Sequence, residues 1–168
     1  MKKYGVDKNQ TNLLQVTRWC YIAGIVFLGI FNIVNMIRGA SPDGSVLSSE
    51  SILLVSIALS AYMLYEFFRY TKIILRMRMV NLCIDGETVS GVSVENPGKS
   101  DRDNPNGERF SLNKADITDT ALTMLNITAR QAVQTLQIST QTRRYNLPAL
   151  EDIQSARHQI GHAESLKW

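Results

Sequence analysis

The chain is poor in the residues on which disulfide scaffolds, metal sites and loop-rich domains depend: its 168 residues include two Cys, two His and four Pro. One cysteine in each half, Cys20 and Cys83, builds no disulfide framework. Acidic residues are scarce in the front half. Residues 1–78 carry four Asp/Glu against nine Lys/Arg, and residues 79–168 carry eleven against nine, so the two parts hold net charges of +5 and −2. Catalytic signatures are missing as well: there is no phosphate loop, dinucleotide fingerprint, Gly-x-Ser-x-Gly elbow, His-Glu-x-x-His or paired-carboxylate motif. Together these absences argue against a single soluble enzyme domain. They argue equally against a disordered chain, and against a nucleic-acid binder, which needs basic charge concentrated over its folded part. No catalytic residue, cofactor or metal is expected.

Charge is absent altogether from two long runs. Trp19 to Ile37 is nineteen residues without a charge, and at about 1.5 Å rise per residue it covers roughly 28 Å, the thickness of a bilayer's hydrocarbon layer. A second run starts at Ser51, stays uncharged through Tyr65 and continues past Glu66 to Phe68. Both read as transmembrane helices. Gly39 to Ser45 and the Ser48-Ser-Glu-Ser51 cluster supply turn and helix-start residues between them, which predicts an antiparallel hairpin over 19–68. A cleaved signal peptide fits poorly, because eighteen mostly polar residues precede the first run and Arg38 stands where a small residue is wanted.

Positive residues set the expected orientation. Lys2, Lys3, Lys8 and Arg18 precede the hairpin, Arg69, Lys72, Arg76 and Arg78 follow it, and the connection holds Arg38 alone. The positive-inside rule then puts both termini in the cytoplasm, with 1–18 as an N-terminal segment and 69–78 as a basic juxtamembrane link. Trp19, Tyr21, Tyr62, Tyr65 and Tyr70 fall near the same inner boundary, as interfacial anchors do. Within the spans, Asn32 and Asn35 share a helix face, and Ser56 and Ser60 form a small-xxx-small pair. The plain reading is helix packing; the functional one is an oligomer seam or a polar path. Glu66 and Arg69, three residues apart, read as a local interfacial pair.

Beyond Arg78 the apolar period changes from helical to two. Val80, Leu82 and Ile84 alternate, Asp85-Gly86 marks a hairpin, and Glu87 to Val94 resumes as a strand, with Gly91 the expected site of a bulge because Val89 is out of parity with Val92 and Val94. Residues 95–108 read as a solvated loop. Strands are expected over 109–112, 117–127, 132–140 and 143–147, although Ala115 to Asn126 is also compatible with helix on propensity alone and it is Thr118, Thr120 and Thr123 that tip it toward strand. A closing amphipathic helix then starts near Pro148 with Leu150, Ile153, Ala156, Ile160 and Ala163 on one face, and Glu151 and Asp152 at its positive end.

The hairpin, the basic exit, Leu82-Cys-Ile-Asp-Gly86, Phe110-Ser-Leu-Asn-Lys-Ala-Asp-Ile117, Leu136-Gln-Ile-Ser-Thr140, Tyr145-Asn-Leu-Pro148 and the final helix together resemble the membrane-anchored bacterial proteins with a PH-like domain. The resemblance covers most of the chain and rests on fold patterns. It implies a small α+β domain over 79–168, a partly open antiparallel barrel capped by the C-terminal helix and serving as a binding or scaffolding module. Six strands are legible where a full barrel has seven.

Among candidate sites, His158 and His162 stand four apart on the last helix; two ligands, with Glu164 awkwardly placed, are too few for a metal, and a solvated face is the better reading. Both cysteines read as buried or interfacial thiols, Cys20 at a depth where acylation is also feasible. Arg69, Lys72, Arg76 and Arg78 are accounted for by orientation, although each is also worth on the order of 1 kcal/mol beside anionic lipid. Arg143-Arg144 reads first as a solvated turn and second as a contact for the membrane or an acidic partner. The expectation is a non-enzymatic inner-membrane protein that presents its domain to a membrane-associated protein partner or to its own copies. The alternative is a small oligomeric transport subunit assembled through Asn32, Asn35, Ser56 and Ser60.

Overall fold

The computed structural model describes residues 1–38, 49–98, 107–128 and 131–161. It contains two long helices, two antiparallel sheets and a short C-terminal helix, in two compact units: Met1–Leu13 with the chain from Lys72 onward, and Leu14–Thr71.

The helical unit is built from α1 (Lys8–Arg38) and α2 (Ser49–Met79), both long and apolar enough to cross a membrane. Each outruns its charge-free core. Asp7 caps α1 by accepting from the Asn9 backbone N–H at 2.8 Å, so the helix begins well before Trp19. The stretch 69–78, expected as a link, is helical throughout and belongs to α2. Within the unit, Trp19 meets Phe67, and Gly24 lies where a Cβ would come 2.8 Å from the Met63 sulfur, contacts that run in opposite chain directions as a hairpin requires. Away from that seam the helices are greasy on the outside: Phe27 is 68% exposed, and Ile30, Ile33, Leu54, Val55 and Ile57 are also exposed. A surface of this kind suits hydrocarbon, which asks for no polar partner, and points to membrane association. The connection 39–45 and Ser48 lie outside the described residues.

The other unit opens with a strand the sequence reading leaves inside a plain segment. Lys2–Tyr4 forms β1 and pairs antiparallel with β2 (Asn81–Asp85), Tyr4 opposite Leu82. The first sheet continues through β3 (Thr88–Ser93) and β4 (Glu108–Asn113) in the order β1-β2-β3-β4. Asp85-Gly86 turns the chain as expected, with φ +55° at Gly86, the first central residue of the hairpin. The second sheet, β5-β6-β7, comprises Ile117–Asn126, Ala132–Thr140 and Arg144–Pro148. α3 (Ile153–Gly161) closes the domain.

Three local expectations are corrected. The β2–β3 register runs unbroken through Leu82↔Gly91, with no bulge there. Glycine is needed at 91 because a Cβ would stand 2.1 Å from the Asn81 carbonyl oxygen, and Val89, Gly91 and Ser93 share the inward parity. The irregularity lies in β5 instead, between Ile117 and Asp119. Pro148 ends β7 rather than starting a helix; Leu150 forms an isolated bridge with Val6, and α3 begins at Ile153, keeping Ile153, Ala156 and Ile160 buried. The loop after β3 is not wholly solvated, since Pro97 is buried, and β4 starts at Glu108.

The core gathers Tyr4, Leu82, Ile84, Val89, Phe110, Leu136, Ile138, Tyr145 and Leu147 from both sheets with Leu150, Ile153, Ala156 and Ile160 beneath α3. Phe110 stacks on Tyr145 at 4.8 Å between ring centres. Two seams close the sheets on one another. The Asp7 N–H donates to the Ala149 carbonyl at 2.7 Å and the Glu151 N–H to Gly5 at 2.8 Å, while past β3 the Val94 N–H donates to the Asn146 carbonyl at 3.0 Å.

Candidate functional site

Strand alternation furnishes a polar cleft in the domain. In β6 and β7, Leu136, Ile138, Tyr145 and Leu147 point into the core, so the residues between them, Gln137 and Asn146, share the opposite face and stand across from each other in register. Gln137 donates through Nε2 to Asn146 Oδ1 at 3.1 Å, and Asn146 donates through Nδ2 to the Glu95 carbonyl at 3.1 Å. The strand-end crossing at Val94 brings Glu95 and Asn96 beside β7, and the start of β4 adds Gly107 and Glu108. The result is a polar cleft of about 320 Å³, with a floor fixed by amide–amide and amide–backbone bonds.

Two guanidinium groups line it. Arg76 comes from the C-terminal turn of α2 and Arg144 from the first position of β7. The sequence places these arginines in two unrelated groups, one membrane-proximal and one in a turn; the fold brings one member of each to the same cleft. Their neighbours go elsewhere. Arg143, one residue before Arg144, pairs its guanidinium with Glu108 Oε1 at the rim and has its backbone tied to Thr140. Arg144 is exposed and makes no ion pair among the described residues. Lys72 and Arg78 are exposed on α2, whose other face buries Ile73, Ile74 and Met77. Arg69 stays in the helical unit, paired with the buried Glu66 at 3.1 Å.

The residues singled out for helix contact serve their own helices where their bonds are seen. Asn32 donates to the Leu28 carbonyl at 2.8 Å and Ser56 to the Ile52 carbonyl at 2.9 Å. Ser56 is buried, Ser60 half-buried and Asn35 exposed. Cys20 is exposed and Cys83 half-buried; His158 is exposed on α3, and His162 and Glu164 lie outside the described residues.

Sequence reasoning missed Glu95, Glu108, Gln137 and Asn146. The available signal was the interruption of two apolar strands by an amide at the alternate position, which marks a cleft only once the β6–β7 register is known. Comparison with family models, with curated proteins and with solved structures gave no match to this chain.

Proposed function

We propose that the chain is a non-enzymatic membrane protein that presents a PH-like binding or scaffolding domain at the cytoplasmic face of a bacterial inner membrane, for a membrane-associated protein partner or for another copy of itself. The observation that carries this reading is the pairing of β1 with β2. The strand before the helix pair and the strand after it are neighbours in one sheet, Lys2 opposite Ile84 and Tyr4 opposite Leu82, so the domain is joined to the hairpin by two chain connections. A head tethered in this way samples a thin layer of space, which raises its effective concentration toward other membrane-bound molecules into the millimolar range. Four strands packed with three and closed by a C-terminal helix support the PH-like assignment. The basic residues flanking the hairpin support a cytoplasmic head.

The test uses the full chain in native membranes. Two differently tagged copies, or one tagged copy and chemical cross-linking, should yield a discrete species containing a second copy or a membrane-associated protein. A chain that cross-links to nothing above an unrelated two-span control, but drives solute flux in proteoliposomes, would overturn the reading in favour of transport.

A further inference from the structure

We infer that the cleft between β3 and β7 is the partner-binding site and that it takes an acidic peptide segment, with a side-chain carboxylate held between Arg76 and Arg144. This rests on the binding-module reading above and names the chemistry of its partner. Three observations converge on it. The cleft holds two guanidinium groups, and planar N–H forks of this kind match a carboxylate in two-point geometry. Of the two acidic residues in its lining, Glu108 is engaged by Arg143 at the rim, so beside the two guanidinium groups the lining carries Glu95 as its other carboxylate. The floor is already bonded without a ligand: Asn146 is held through its side chain to Gln137 and Glu95 and through its backbone to Val94. A preformed site loses less entropy on binding. At about 320 Å³ the cleft admits a side chain or two rather than a folded surface. A segment that inserts its carboxylate would find acceptors for its backbone N–H groups in Glu95 and the Asn146–Gln137 pair.

The direct measurement is fluorescence anisotropy of a labelled, N-acetylated hexapeptide of alternating Asp and Ala against the full chain in nanodiscs of uncharged lipid. The same peptide with Asn for Asp is the control. The Asp peptide should bind and the Asn peptide should be weaker by about tenfold or more, since charge-assisted bonds exceed neutral ones. Arg144→Gln, at an exposed position, should weaken the Asp peptide about tenfold, Arg76→Gln comparably, and the pair together should abolish binding. Arg109→Gln, exposed on β4 and outside the cleft, should leave it within about twofold. Equal binding of both peptides, or an Arg144→Gln variant as tight as the parent, overturns the inference. So does an Asp peptide that fails to bind while anionic-lipid vesicles or inorganic phosphate bind in an Arg144-dependent way, an outcome that would make the cleft a phosphate site. If membranes yield a cross-linked partner but its cross-links fall off the cleft, the acidic-peptide inference fails and the binding-module reading stands.

Discussion

Single residues carry two of the domain's tightest constraints. Gly91 stands where a Cβ would lie 2.1 Å from the Asn81 carbonyl oxygen, and the obstacle is backbone in the paired strand, which cannot rotate away. Gly91→Ala should therefore lower the domain's stability by about 1–3 kcal/mol, the usual range for overpacking, read as a lower denaturant midpoint with an unchanged slope. Tyr4 is the converse case, a ring 5% exposed whose hydroxyl shares a 3.3 Å hydrogen bond with Ser155 Oγ on α3. Tyr4→Ala should cost about 3 kcal/mol, measured the same way, and Tyr4→Phe much less. The sequence discloses Gly91 only as an oddity in an alternating strand. Parity can flag the residue, but a bulge and a close backbone approach interrupt a period-two pattern alike, and only the partner strand distinguishes them.

At the level of elements, the helix pair and β1 yield separate expectations. Gly24 faces the flexible end of Met63, so Gly24→Ala should be tolerated as the thioether swings aside. Gly24→Leu should drive α1 off α2 and lower the melting temperature of the full chain in detergent. Removing residues 1–7 deletes β1, bares the outer edge of β2 and strips Tyr4 from the core, and limited proteolysis should then cut within Asn81–Ser93, where the full chain resists. For the same reason, a fragment comprising 79–168 lacks a strand of its own sheet. Helices, hairpin turn and late strands were legible in sequence because their periodicity is local. β1 was not, because Lys2, Lys3 and Tyr4 alternate over too few residues to signal a strand, and their partners lie some eighty positions downstream.

For the whole molecule, the two apolar helices lead to a simple expectation: the native chain should resist alkaline carbonate extraction and leave the membrane with detergent. With Cys20 and Cys83 replaced by Ser, single cysteines placed at Lys3 and Gln159 should both stay unlabelled by an impermeant thiol reagent in intact cells and both react after permeabilisation. Labelling of one alone would contradict their membership of a single folded unit. What the sequence settled by itself is whatever depends on runs and periods: two charge-free helices, an alternating β region, an amphipathic closing helix and a net charge divided between the halves. What only the tertiary structure decided is whatever depends on register and long-range pairing. That includes the membership of β1 in the first sheet and the meeting of Arg76 with Arg144. The division has a physical cause. A helix or strand face is fixed by neighbours a few residues apart, whereas a cleft is fixed by which strands lie side by side, and that is decided by burial of the whole core.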